Sequence, residues 1–123
     1  MTTNLSIKKE AGVWIEEEVK EVALNLLTLL SIKTPVDEGT AVYNWKVSIG
    51  STDGRTRKTV SNGESNRNAM VSKETPKIER YDLGQVLYIQ NNLPYISRLN
   101  NGYSDQAPKR FVETAIEQSV RIK

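Results

Sequence analysis

A chain of 123 residues with 17 Lys and Arg against 15 Asp and Glu reads as one domain of nearly balanced charge. Only 37% of it is apolar, below the usual ~45–50%, which predicts a lean core that gains stability from neighbours. Cys 0 and His 0 exclude disulfides, thiol catalysis, Cys-based zinc sites and the commonest general base and transition-metal ligand.

No apolar run approaches the ~18 residues that a membrane span needs. Residues 1–12 are polar and predict no signal peptide. The expected setting is therefore intracellular or virion-borne, and the Asn4-Leu5-Ser6 sequon carries no weight without secretion.

Residues 10–33 give the clearest element. Ile15, Val19, Val22, Leu26 and Leu29 recur at spacings of four and three, and Ala23, Leu27 and Leu30 widen the stripe. Glu16, Glu17 and Glu18 lie toward the start, where the helix dipole favours acids. The second half, ALNLLTLL, is apolar nearly all round, so burial on more than one side is expected. Pro35 forces an end near Thr34, and TPVDEGT reads as a turn in which Asp37 caps backbone amides and Gly39 accepts positive φ. AVYNWKVSIG predicts a strand whose inward face carries Tyr43, Trp45, Val47 and Ile49.

Residues 51–75 are rich in Ser, Thr, Asn and Gly and poor in apolar side chains. They predict an extended polar loop or arm, either solvated or ordered against a partner. A short helical turn is expected within 75–84, and QVLYIQN at 85–91 as a second strand covered on both faces. From Pro108 a closing helix is predicted, with Val112, Ala115, Ile116 and Val120 as its stripe and Phe111 beside it. The element order predicts an α+β domain spanning 1–123. In it a long N-terminal and a C-terminal helix pack on a small, mostly antiparallel sheet.

Chemistry is sparse. Glu16 to Glu18 are consecutive on a helix and point in different directions, so they cannot converge on a metal. No phosphate-binding glycine loop and no G-x-S-x-G elbow is present. Neither catalytic, metal nor cofactor residues are predicted. A weak enzyme reading would use Asp37 and Glu38. A nucleic-acid reading would use the basic run Arg55, Arg57 and Lys58, against the small overall charge.

Two stretches carry a resemblance: TPVDEGTAVYNW, Thr34 to Trp45, and YIQNNLPYISRLNNGYSDQAP, Tyr88 to Pro108. Together they resemble the tail-completion proteins of tailed bacteriophages, also called neck or head–tail joining proteins. Those chains typically carry T-P-V-D-T-G before a strand with Trp. Later come N-N-x-P-Y, R-L-E-x-G-x-S, Gln-Ala-Pro and a closing helix. This chain departs from that pattern at Glu38, at Asn100 and at Lys109 and Arg110, where Thr, Glu and Gly are common.

The resemblance implies a non-enzymatic virion subunit without cofactors. It forms a homo-oligomeric ring, six-fold favoured and twelve-fold possible, at the head-proximal end of the tail or in the neck. Its implied neighbours are a head-side connector or adaptor and tail-tube or tail-terminator proteins. DNA passes the lumen without sequence-specific binding, and no membrane is involved. The expected locations are the virion and, during assembly, the host cytoplasm.

The outer side of the first helix and the 91–108 segment are the expected contact faces. Arg55, Arg57, Lys58, Arg98, Asn100, Tyr103, Asp105, Lys109 and Arg110 are the candidate interface residues. For Arg98 an internal ion pair or simple solvation is an equal alternative. Pro35, Asp37, Gly39, Trp45, Tyr88, Pro94, Tyr95, Leu99, Gly102 and Pro108 are expected to hold the path of the chain, with Trp45 and Tyr88 in the core.

Overall fold

A computed structural model describes residues 3–5, 15–34, 40–57, 63–93, 96–101 and 110–121. The elements in chain order are β1 (Thr3–Leu5), α1 (Glu16–Lys33), α2 (Thr40–Tyr43), β2 (Trp45–Ile49), α3 (Gly63–Ile78), β3 (Leu87–Asn91), α4 (Ile96–Asn100) and α5 (Phe111–Arg121). The fold is α+β. Its antiparallel three-stranded sheet has the order β1-β3-β2, so β3 is central. Thr3 lies opposite Asn91 on one side of β3, and Trp45 lies opposite Asn91 on the other.

Helix α1 buries Val22, Ala23, Leu26, Leu27 and Leu30. Each fully buried leucine contributes about 1.5–3 kcal/mol of apolar burial. Its burial is one-sided, however: Leu24 is 39% and Ile32 61% exposed, so the apolar second half is not enclosed. Thr28, one turn from each, turns its hydroxyl back to the Leu24 carbonyl at 2.8 Å. The helix ends at Thr34, whose N–H and Oγ1 both donate to the Leu30 carbonyl, at 3.0 and 2.6 Å. At the other end the Glu16 carboxylate accepts from the Leu83 N–H at 3.0 Å, pinning the turn after α3 to the start of α1.

Helix α1 packs on α5 and α3, and α3 also packs on α2 and β2. The common core holds Trp45, Phe111, Met70, Ile78, Ile96 and the α1 leucines. In α5 the fourth buried position is Ser119 and not Val120, which is 37% exposed. Ser119 suits that place because its carbonyl accepts from Asn25 Nδ2 of α1 at 3.4 Å and its hydroxyl is satisfied by the Ile116 carbonyl.

Three expectations need correction. Of the polar arm expected at 51–75, residues 51–57 are a loop. From Gly63 it is a helix whose buried positions are Gly63, Asn66, Met70, Glu74 and Ile78. That is a helical spacing in which two of the inward residues are polar, so no apolar stripe announces it. The helical turn expected within 75–84 is the end of this helix, which carries Pro76 in its last turn. The strand expected from Ala41 begins only at Trp45. Thr40–Tyr43 is a helical turn, closed by Asn44, whose N–H bonds the Ala41 carbonyl and whose Nδ2 bonds the Thr40 carbonyl at 2.8 Å.

Candidate functional site

The polar residues of β2 and β3 form one connected cluster, built from the sheet outward. On one face lie Trp45, Val47 and Ile49 of β2, with Leu87, Ile89 and Asn91 of β3 opposite. The other face carries Lys46 and Ser48 against Gln90 and Tyr88. An alternating strand usually turns such polar residues to water. Here Lys46 is 3% and Gln90 1% exposed, because residues 53–57 lie against them.

Side chains, not a strand ladder, fasten that loop. Lys46 Nζ donates to the Arg55 carbonyl at 2.5 Å and stands 3.6 Å from the Asp53 carboxylate. Gln90 Oε1 accepts from the Asp53 N–H, and its Nε2 donates to Asn92 Oδ1 at 2.7 Å. Asn92 Nδ2 in turn donates to the carbonyls of Asp53 and Arg55. Asn44 makes a reciprocal pair with the Arg57 backbone: its Oδ1 accepts the N–H at 2.6 Å and its Nδ2 donates to the carbonyl at 3.0 Å. The loop's own tip is closed by Arg55, whose N–H and guanidinium all bond the Asp53 carboxylate at 2.9–3.0 Å.

These contacts move two titrations. The Arg55 hydrogen bonds hold the Asp53 carboxyl well below the usual carboxylate range. Burial pushes the Lys46 ammonium below its ordinary value, with Asp53 opposing that shift.

A second half of the cluster closes the outer edge of β2. Gly50 N–H bonds the Val86 carbonyl at 2.8 Å, which fixes the even-numbered residues as those that bond β3. The odd-numbered backbone groups therefore face away from the sheet. Val47 N–H donates to Glu74 Oε1 at 2.7 Å, across from α3. Arg57 donates to the carbonyls of Tyr43 and Trp45 and to Glu74 Oε2. Lys77 Nζ reaches both Glu74 oxygens, at 2.9 and 3.1 Å. Glu74 is fully buried, and all its acceptor capacity is taken up by Val47, Arg57 and Lys77. Tyr43 completes the corner: Arg57 lies 5.3 Å from its ring centroid, and Lys73 Nζ donates to its hydroxyl at 2.8 Å.

The two stretches that carry the family resemblance meet here. Trp45 Nε1 donates to Thr34 Oγ1 at 2.9 Å, joining the first and last residues of TPVDEGTAVYNW. Asn91, from the second stretch, donates to the Ala41 carbonyl at 2.8 Å.

The predicted interface residues scatter. Arg55 is exposed, but Arg57 is turned inward onto Glu74, so the basic run does not present a continuous cationic surface. Asn100 holds the start of α5: its Oδ1 accepts from the Val112 N–H at 2.8 Å and its Nδ2 donates to Glu113 at 2.9 Å. Arg98 is exposed on α4, and Arg110 is exposed ahead of α5 with φ 63. Lys58, Tyr103, Asp105 and Lys109 lie outside the described residues, as do Pro35, Asp37, Gly39, Pro94, Tyr95, Gly102 and Pro108. Trp45 is fully buried, Leu99 packs against the core, and Tyr88 is half-buried.

Glu74, Asn44 and Gln90 were missed as organising residues. The one sequence signal for Glu74 was its place at a four-residue interval between Met70 and Ile78. Among the described residues, no group of three His, Cys, Asp or Glu is placed to hold a metal ion, and no helix is long and apolar enough to cross a membrane. Compared with protein families, curated proteins and solved structures, the chain finds no match.

Proposed function

We propose that the chain is a structural subunit of a phage neck or tail end that assembles with copies of itself into a ring around the DNA path. The observation that carries this reading is the outer stripe of α1. Exposed Glu17 and Glu21 are followed by Leu24, Thr28 and Ile32, so one helix face offers charge and then apolar surface to a neighbour. A ring contact joins two different faces of the same chain, which such a two-part stripe suits. The buried polar cluster supports an architectural role as well. Its carboxylate, amides and guanidinium are all engaged in internal hydrogen bonds that hold β2, the 53–57 loop and α3 together.

The alternative, a nucleic-acid-binding accessory protein using residues 55–58, has Arg57 committed to an internal ion pair. Salt-sensitive DNA binding by the purified chain would favour it. The ring reading is tested with Leu24→Glu and Ile32→Glu by light scattering and electron microscopy across concentration. Closed rings of the wild type, lost in the variants while their melting temperature holds, are expected. A wild-type chain that stays monomeric at its highest soluble concentration would count against it.

A further inference from the structure

Among the described residues, the closure of the β2 edge is incomplete. Glu74 and Arg57 cover it as far as Val47 N–H, but α3 ends at Ile78 and the chain turns away. Beyond that point the alternation of the sheet directs the Val47 carbonyl and the Ile49 N–H and carbonyl outward. No backbone group among the described residues bonds them on that side. A cavity of about 320 Å³ opens there, lined by Val47, Ser48, Ile49, Lys77, Arg80 and Gln85. Its size is at the low end for ligand pockets.

The charge of this cavity is one-sided. Lys77 and Arg80 are its only charged lining residues. Lys77 is shared with Glu74, whereas Arg80 has no ion pair or side-chain hydrogen bond among the described residues. The Ser48 hydroxyl is buried in the same wall without a hydrogen-bond partner. Leu83 and Val86, on the connection from α3 to β3, are 55% and 54% exposed. Among the described residues, an unpaired strand edge and a guanidinium without an ion pair thus occur together.

We propose that this open end of β2 binds an extended acidic segment of a partner protein, which adds to the sheet as a short strand. The partner's backbone pairs with the Val47 carbonyl and the Ile49 N–H, in the manner of strand addition to a sheet edge. A carboxylate of the partner takes Arg80. The edge supplies affinity without sequence preference, and Arg80 supplies the preference for acid. The site does not depend on self-assembly through α1.

The test is selection of random peptides displayed on a neutral carrier against the full chain, its Arg80→Glu variant and its Ile49→Pro variant. Ile49→Pro removes an outward-facing donor and a half-buried side chain but no hydrogen bond of the ladder to β3. Near-ultraviolet circular dichroism of buried Trp45 checks each fold. The wild type should enrich extended sequences bearing Asp or Glu. The best of these should bind about tenfold more weakly to Arg80→Glu, where repulsion replaces attraction. Loss of the backbone donor should weaken it about fivefold in Ile49→Pro. Enrichment of no peptide, or of acidic peptides that bind both variants as well as the wild type, overturns the proposal. So does concentration-dependent self-association that Ile49→Pro abolishes, since a second copy would then be the occupant. Arg80→Glu, on an exposed surface, keeps the test decisive if Ile49→Pro fails to fold.

Discussion

Glu74→Gln isolates the charge at the centre of the cluster. The substitution keeps the side-chain volume and an oxygen for the Val47 N–H, now at 2.7 Å, but removes the negative charge facing Arg57 and Lys77. Removing one member of a buried ion pair costs about 3–5 kcal/mol, because the other charge stays desolvated. Here Arg57 and Lys77 keep 18% and 33% of their side-chain exposure and can recover some hydration, so the lower end applies, about 3 kcal/mol. A chain of this length has a total stability of roughly 6–18 kcal/mol. The loss is therefore a large fraction of it and lowers Tm by about 12 °C, at about 4 °C per kcal/mol. Urea unfolding followed by tryptophan fluorescence measures it. In a double-mutant cycle, Arg57→Met with Glu74→Gln should recover about 2 kcal/mol of coupling. A single-mutant loss below about 1 kcal/mol, or additive effects, would refute the view that this pair holds the β2 edge closed.

Asn44→Ala should cost about 2–3 kcal/mol, since it removes the Asn44 partners of the Arg57 N–H and carbonyl and the bond to the Thr40 carbonyl, and should speed hydrogen exchange at the Arg57 amide more than in β3. Because the folded Asp53 carboxyl titrates below its unfolded value, its contribution is present above about pH 4 and is lost as pH falls below that. Asp53→Asn should accordingly lower stability at neutral pH, where the carboxylate contributes, cost little in acid, and so flatten the acid limb of the stability curve. Arg110, at φ 63, is in the left-handed region, so Arg110→Val should be about 1 kcal/mol less stable than Arg110→Gly by chemical denaturation. The Arg110 ion pair with Glu113 is 3.9 Å long and mostly exposed, so its loss is a small part of either change.

What the sequence disclosed follows from where apolar side chains were free to mark an element. Helix α1 was legible because Val22, Leu26 and Leu30 repeat at helical spacing, and β3 because Leu87 to Ile89 is an apolar run before Asn91. Helix α3 was hidden because Asn66 and Glu74 occupy inward positions, and their partners come from Val47 and Arg57, far away in sequence. The start of β2 was misread for the same reason: Asn44 alternates like a strand residue, yet its amide closes the turn before it. Lys46 reads as a solvent face, since nothing local announces that 53–57 will cover it.

The central position of β3 also governs when the sheet can exist at all. Both of its neighbours, Thr3–Leu5 and Trp45–Ile49, precede it in the chain, and they pair with β3 rather than with each other. A nascent chain leaving the ribosome therefore holds two unpaired strands until Leu87–Asn91 emerges. During that interval α1 is already available as a local structure, while every sheet contact awaits a distant segment. Sheet formation is then the slow, late event of biogenesis. A chain ending before Leu87 would keep helical signal but no sheet.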